Sequence, residues 1–542
     1  MNSIKNNIIT LSDKDKKCKF LEDFKRIIIE FGSLVYPLIL FNYCLFSYGS
    51  INIYFISKTY KDPEMINAIG ISNLYVTITT EVIMTGITGA LDTLASNAYG
   101  AKNYKLMGIY FDRCRYIGIS FWLIMSFFHF FFARSILGYL KVDKRVVELA
   151  LEYISISIFS LMIELNFSIN QRLFTLMDKS KIIFYISFFS LIIQIIAGYL
   201  LVILFKFGVR GSALSFFVAS LFNTVSSTII LSKMNLPKGS LVFFTKDGLK
   251  DWKNYLDIAI PGILISGGEI IGYELQSIFA IYISSLDYST QIILISLESL
   301  CFPSTGAISS AISMKSGEKL MKLKPEQLKS YFFMSYLFVF LISIIVISFV
   351  IFLGDSFFYA ISPNEEIYLN SCKNKFILCY FVFVDNVYYY YLGCLKGLGY
   401  LKNTTIATFV MFYGIGPLLI YILAFKNKMG VKGIWESTSI SITLGDILFI
   451  YWVFSFDLNK SKELAAERIR KDYVNINKNE NDIKEEEFLI KDIQNNNNIE
   501  IKKDSLIENH NQMKKENTIG NNENNIINKK KEKQIEMNDI IV

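Results

Sequence analysis

Apolar residues gather into twelve long runs, each long enough to cross a bilayer and separated from the next by short polar punctuation. A membrane-spanning helix needs about 20 mostly apolar residues, and the runs predict helices at 27–56, 65–88, 115–138, 147–171, 182–206, 212–232, 255–284, 290–314, 330–354, 374–395, 403–425 and 433–456. The punctuation of the first six runs recurs in the last six. Gly208-Val209-Arg210-Gly211 returns as Gly430-Val431-Lys432-Gly433, 222 positions later, and Leu173 and Leu176 return at the same offset as Leu395 and Leu398. Pro37 in the first run is matched by Pro261 in the seventh, 224 positions on. The pattern predicts an all-α integral membrane protein of two six-helix repeats, a usual construction for secondary transporters.

The predicted domains are a cytosolic N-terminal segment at 1–26, a first lobe at 27–233, a connector at 234–254, a second lobe at 255–456 and a tail at 457–542. The tail is rich in Asn, Lys and Glu, cannot bury enough apolar surface to offset its ordering entropy, and is expected to be disordered in the cytosol. The connector carries Trp252 and several lysines and is expected to lie as an amphipathic segment on the inner membrane surface. Residues 315–329, with Lys315, Lys319, Lys322 and Lys324, read as a second connector on that side.

Composition agrees: 52% of the 542 residues are hydrophobic and 15% aromatic, tail included. The N-terminal segment and the connectors after even-numbered helices carry roughly twice as many Lys and Arg as those after odd-numbered ones, which predicts that both termini are cytosolic. The formal charge of +7 then reflects lysines facing anionic lipid rather than a nucleic-acid partner. No cleaved signal peptide is expected, since no short apolar stretch with a small-residue cleavage site opens the chain. The plasma membrane or an acidic organelle membrane fits this reading. Seven scattered cysteines and two histidines form no metal or disulfide pattern, and no cofactor is implied. His129 reads as a packed helix residue.

The chemistry is expected at polar groups that a bilayer would otherwise exclude, because an ionised carboxylate there costs several kcal/mol unless it meets a wet cavity or a partner. The second half carries Glu269 and Glu274 in the seventh segment, Glu298 in the eighth, Asp385 in the tenth and Asp446 in the twelfth, with no base in the interior of those segments. An unpaired acid in a low dielectric holds either a proton or a cation. The seventh segment reads Ala259-Ile260-Pro261-Gly262, then Ser266-Gly267-Gly268-Glu269 and Gly272-Tyr273-Glu274, so Pro261 and the glycines are expected to bend it beside Glu269. Glu269 and Tyr273 share a helix face, while Glu274 is turned from Glu269 by roughly 140°. Tyr273 and the run Tyr388-Tyr389-Tyr390-Tyr391 are candidates to hold a flat cation over their rings.

The segment Gly89-Ala90-Leu91-Asp92-Thr93-Leu94-Ala95-Ser96-Asn97-Ala98-Tyr99-Gly100-Ala101 resembles the Ala-Leu-Asp-Thr-Leu stretch and Tyr/Phe-Gly-Ala turn of the eukaryotic branch of the multidrug and toxic compound extrusion (MATE) family, with Asn97 where the family has Gln. Ala259-Ile260-Pro261 with Glu269 and Glu274 is similar to that family's seventh helix, and Leu395-Lys396-Gly397-Leu398-Gly399 to its Leu-Arg-Gly-x-Gly turn. Asp385 falls where the family carries an essential acid. Glu298 lies near the family's eighth-helix glutamate but a few residues closer to Pro303, and Asn52 stands about where prokaryotic members carry a functional aspartate. The resemblance, over about 30–456, implies V-shaped six-helix lobes that alternate between inward and outward openings, with protonation driving export of an organic solute.

These readings lead to a secondary transporter, not an enzyme, that exports small organic cations or xenobiotics by antiport with H+ or Na+ as a monomer. The rival within the superfamily is a lipid-linked oligosaccharide flippase, which is expected to line its cavity with bases for phosphate. Major-facilitator carriers have a Gly/Asp/Arg-rich signature after the second helix, and an enzyme needs a nucleophile or metal constellation; neither is found. Glu81 and Glu164 read as packing or cavity residues of the first half. Asp92, near Lys102, Lys105 and Arg113, is expected to make a conformation-dependent ion pair or cap rather than to bind substrate.

Overall fold

A computed structural model describes residues 2–476 except 61, 140–142, 242 and 363–364. Twelve helices in it are long and apolar enough to cross a membrane: α1 Phe24–Tyr60, α2 Glu64–Gly100, α3 Tyr104–Tyr139, α4 Lys144–Leu176, α5 Ser180–Leu204, α6 Gly208–Lys233, α7 Trp252–Ile283, α8 Ser285–Lys322, α9 Pro325–Ile361, α10 Lys375–Leu398, α11 Leu401–Lys426 and α12 Val431–Ser455. A further helix, α13, runs Leu458–Ile476, and the described residues contain no strand. Residues up to Asp472 form one compact body.

The repeat seen in the sequence is also a repeat of backbone geometry. Helices α5 and α11 both end in a π-helical turn, Tyr199–Leu204 and Tyr421–Lys426. The Phe205 amide then donates to the Leu200 carbonyl and the Phe207 amide to Leu201; Asn427 and Met429 donate to Ile422 and Leu423 in the same way. Lys206 and Lys428 take left-handed φ values of 54° and 55°, and Gly208 and Gly430 follow at 57° and 63°. The glycines that close the repeated motif, three residues on, are needed because the next helix passes against its predecessor: a Cβ on Gly211 would lie 2.9 Å from the Leu201 carbonyl oxygen, and one on Gly433 would lie 2.6 Å from the Ala424 amide nitrogen.

Helices α2 and α8 continue well past the predicted ends at 88 and 314. Hydropathy falls there because the side chains face protein rather than lipid: Asp92, Ser96 and Asn97 on α2 are buried, as are Lys315 and Glu318 on α8. Residues 315–322 are therefore helix and not connector. The two sets of six helices meet along these extensions, at the end of the bundle that carries Phe24, Ser455 and most of the lysines, called here the lysine-rich end. Close approach is enforced by glycine, for a Cβ on Gly317 would fall 1.9 Å from the Ser96 hydroxyl and one on Gly100 2.5 Å from the Glu318 carbonyl oxygen.

Two further expectations are corrected. The connector at 234–254 is not a long amphipathic helix: among its described residues before α7 the one helical turn is the 3-10 turn Asp247–Leu249, Pro237 and Gly239 (φ 85°) precede it, and 252–254 already belong to α7. It is tied down by buried Asp112 of α3, which accepts from the amides of Phe244 and Thr245 at 2.7 Å each and from the Thr245 hydroxyl at 2.6 Å. The tail expected to be disordered from 457 begins with a helix, since Asp457 caps its first turn by accepting from the amide of Asn459 at 3.0 Å. Leu458, Ser461, Ala465, Ile469 and Asp472 then recur at helical spacing and are buried. Average composition hid that stripe; residues 477–542 lie outside the described residues.

Packing of this kind predicts which glycines tolerate a methyl group. A Cβ on Gly397 meets the Ser313 carbonyl oxygen at 2.2 Å, whereas one on Gly49 meets nothing within 4 Å. Gly397→Ala is expected to destabilise the protein by about 1–3 kcal/mol, and Gly49→Ala to be neutral or stabilising by up to about 1 kcal/mol. Thermal unfolding in detergent reads both.

Candidate functional site

Helices α7 and α10 run antiparallel, and each presents an acid and a tyrosine about one turn apart on the face toward the other. The acid of one helix therefore meets the tyrosines of its neighbour. Glu269 of α7 accepts from the hydroxyls of Tyr388 at 2.7 Å and Tyr389 at 3.2 Å, both on α10. Asp385 of α10 accepts from the Tyr273 hydroxyl of α7 at 3.0 Å. Both acids are buried, with relative exposures of 5% and 3%. The Thr408 hydroxyl of α11 lies 3.3 Å from that of Tyr388 and closes the group.

Asp385 is the hub of a wider set of acids. Its charge is within electrostatic reach of Glu269 and of Glu298 on α8, and Asp446 on α12 is within reach of Asp385. Glu298 is half-buried. Asp446 is buried, with its Oδ1 lacking any hydrogen-bond partner. Among the described residues no ion pair joins any of these four acids to a base. Lys396, at the end of α10, is the cation whose charge reaches Glu269. Lys375, at the opposite end of α10, is instead bound to Asp355 at 2.7 Å.

Of the residues expected to share the site, Glu269, Tyr273, Asp385 and Glu298 are brought together, and Glu274 is not. Glu274 is exposed on another face of α7, as its rotation from Glu269 requires. The tyrosine run divides in two: Tyr388 and Tyr389 serve Glu269, while Tyr390 donates to the Phe332 carbonyl at 2.7 Å on α9 and packs with Tyr391. Helix α7 is continuous through Pro261. Its glycines admit α11 alongside, because a Cβ on Gly272 would sit 2.6 Å from the Phe412 ring, and the Gly268 carbonyl accepts from Tyr413 at 3.0 Å.

In the first half, Asn52 is an acceptor for Gln194 at 3.2 Å and Ser215 at 3.0 Å. Glu81 ends a π-helical turn, Thr77–Glu81, and accepts from Thr77 at 2.6 Å. Glu164 lies 3.4 Å from the Ser220 hydroxyl. Buried His129 is held between Thr80 at 2.8 Å and Tyr75 at 2.9 Å, in keeping with a packed helix residue.

Asp92 is ion-paired, though not with the bases nearest in sequence. Its partner is Arg172 on α4, at 3.0 Å, both side chains being largely buried. Spacing along the chain did not indicate this contact, because it joins helices 80 residues apart. Both residues line a cavity between the two sets of helices together with Thr85, Ser266 and Lys396. Beside it the Thr93 hydroxyl donates to the Lys396 carbonyl at 2.6 Å, joining α2 to α10. Farther toward the lysine-rich end, Lys315 of α8 binds Asp178 at 2.8 Å and Glu318 at 2.9 Å, and Lys319 binds Glu30 of α1 at 2.7 Å. Among the described residues, bases are thus paired toward the lysine-rich end, and none forms an ion pair with the acids in the middle.

A duplicated twelve-helix bundle with unpaired acids at membrane depth has the architecture of a membrane carrier. A protein-family model described as MatE matches residues 37–200. Protein DETOXIFICATION 34 of Arabidopsis thaliana is 22% identical over 71% of this chain and 71% of its own length. Multidrug and toxin extrusion protein 2 of Oryctolagus cuniculus is 24% identical over 71% of this chain and 63% of its own. The crystal structure of the eukaryotic MATE transporter AtDTX14 superposes with a TM-score of 0.74 at 19% identity, over 82% of this chain and 99% of that one. The chain is thus similar in sequence to MATE-family transporters and shares the fold of a eukaryotic one.

The buried pair at Asp92 yields a direct test. Arg172→Ala leaves a carboxylate buried without its base and is expected to cost about 3–5 kcal/mol. The double variant Asp92→Asn/Arg172→Ala is expected to recover part of that loss, read as detergent-solubilised melting temperature in a double-mutant cycle.

Proposed function

We propose that the protein exports small organic cations by antiport with protons, using Glu269 and Asp385 as the site that a proton and the substrate occupy in turn. The observation that carries this reading is the crossed acid–tyrosine pair of α7 and α10: two buried carboxylates held by hydroxyls and, among the described residues, joined to no base. Hydroxyl donors alone leave such acids able to take up a proton or a cation. The ring faces of Tyr273 and Tyr389 add a surface suited to a flat cation. The names of the relatives, detoxification and multidrug and toxin extrusion, support an organic solute as cargo.

In this reading the lysine-rich end is cytosolic, as the bias of Lys and Arg requires. With the substrate on the acids, that end opens and closes through the α2–α8 contacts and the Lys315–Asp178 and Lys319–Glu30 pairs. A proton arriving from outside neutralises the acids and displaces the cation. Coupling requires that the two states differ in affinity for proton and substrate, and the pairing of acids supplies such a difference only while both can ionise. Asp92 and Arg172 belong to the moving framework and not to the binding site. The chain acts as a monomer in the plasma membrane or an acidic organelle membrane.

Flux into proteoliposomes tests the reading. Ethidium uptake by wild type is expected to follow an imposed proton gradient and to ignore a sodium gradient; the reverse dependence would make the coupling ion Na+. Glu269→Gln keeps the volume and removes the charge, so uptake is expected to fall to background while membrane abundance stays near wild type. Asp385→Asn is expected to lose a similar amount, and the double variant little more, because the two acids act as one unit. Full-rate transport by Glu269→Gln, or strictly additive losses, would contradict the assignment.

A further inference from the structure

Helix α13 begins on the second set of helices and ends on the first. At its start, Ser461 donates to the Tyr400 hydroxyl, in the α10–α11 turn, at 2.7 Å. About two turns later, the Arg468 guanidinium lies over Gly399, whose φ is 80°; a Cβ there would come within 2.9 Å of it. Glycine at the end of the Leu395-Lys396-Gly397-Leu398-Gly399 turn is required by its backbone, and the Arg468 side chain of α13 covers it. At its far end, Asp472 is 1% exposed and takes three donors. Tyr110 at 2.7 Å and Arg113 at 3.2 Å come from α3, in the first set. Asn254 at 2.6 Å comes from the first turn of α7, in the second.

One carboxylate thus ties the two sets together at the lysine-rich end, across the entry to α7. The same stretch of α3 also anchors the connector through Asp112. The tie is not fully satisfied. Arg113 is wholly buried, yet its Nε has no hydrogen-bond partner and its Nη2 only a distant ion pair with Asp251 at 3.8 Å. Its charge is compensated chiefly by Asp472, so loss of that acid leaves a buried cation whose cheapest relief is to reach water. At this end, reaching water means parting α3 from α13 and α7.

We propose that α13 is a latch that holds the lysine-rich end closed, with Asp472 as the group that must let go of Tyr110 and Arg113 each time that end opens. The inference rests on the alternating-access reading above and goes beyond it. It assigns the part of the chain after the last membrane helix a conformational role and predicts that changes there shift the balance of states without touching the acid site.

The test reads lobe separation and not transport. Spin labels at Lys179→Cys, between α4 and α5, and Lys402→Cys, at the start of α11, sit on exposed positions of the two sets at the same end. They are placed in the full chain with its native cysteines replaced. Electron–electron distance distributions are then recorded with and without ethidium and across pH. Wild type is expected to give a dominant short distance and a minor long one whose share responds to these conditions. Asp472→Asn is expected to raise the long-to-short ratio about tenfold or more, the change that follows from loss of a charge-assisted hydrogen bond. Tyr110→Phe and Asn254→Ala each remove one donor and are expected to shift it the same way by less; they carry the test if Asp472→Asn does not fold. Distributions in the variants that superpose on a wild type that does switch would overturn the latch and leave alternation standing. A wild type with a single distance under every condition would overturn alternation and the latch with it.

Discussion

A carboxylate carried into a bilayer without a base beside it must be given hydroxyl donors, a proton or a cation, and the rest of this structure follows from meeting that demand for several acids at once. Ionised and alone, each would cost several kcal/mol. The antiparallel run of α7 and α10 answers it by symmetry, each helix lending tyrosines to the other's acid. At Gly268 and Gly272, α7 leaves room for the rings of Phe409, Phe412 and Tyr413, so that α11 packs close alongside. Asp446 arrives from α12 with one oxygen still unpartnered. The acids are therefore held in place and left chemically unfinished, the condition that a site shared between a proton and a cation needs.

Charge is sorted by depth. In the middle of the second set the acids meet hydroxyls and one another. At the lysine-rich end the bases are paired: Lys315 with Asp178 and Glu318, Lys319 with Glu30, Arg113 with Asp472. The Lys319–Glu30 pair is part-exposed and cheap to break, whereas Lys315, Glu318, Arg113 and Asp472 are buried and separate only where each charge finds water or another partner. The division suits a carrier, since the proposed binding event and the proposed opening use different residues. Lys396 and the cavity it shares with Asp92 and Arg172 lie between the two, with Lys396 within electrostatic reach of both Asp92 and Glu269.

Most of the fold was legible because a membrane helix is a local property of the chain. The twelve spans follow from run length, and the duplication from Gly208-Val209-Arg210-Gly211 and its counterpart, which the structure explains through paired π-helical turns and left-handed lysines. Glu269, Asp385 and Tyr273 stood out as polar groups in apolar runs. What escaped was long-range or masked by averages. Arg172 is far from Asp92 in sequence and carries no periodic signal. Helix α13 was averaged into a polar tail although Asp457, Leu458, Ala465 and Ile469 mark its cap and stripe. The sequence marked the glycines of α7 as weak points of the helix but not the α11 side chains that need the space beside them. The extensions of α2 and α8 were cut short because hydropathy counts a side chain buried against protein as though it faced water.

The central claim is that one site exchanges a proton for an organic cation, and proton release on binding reports it without any membrane gradient. With purified protein in weakly buffered detergent near the midpoint of its ethidium-binding pH profile, ethidium binding to wild type is expected to release protons in a fixed ratio to cation bound. Glu269→Gln is expected to release few or none. Release of the same size from Glu269→Gln, or binding to wild type with no release at any pH, would contradict the account.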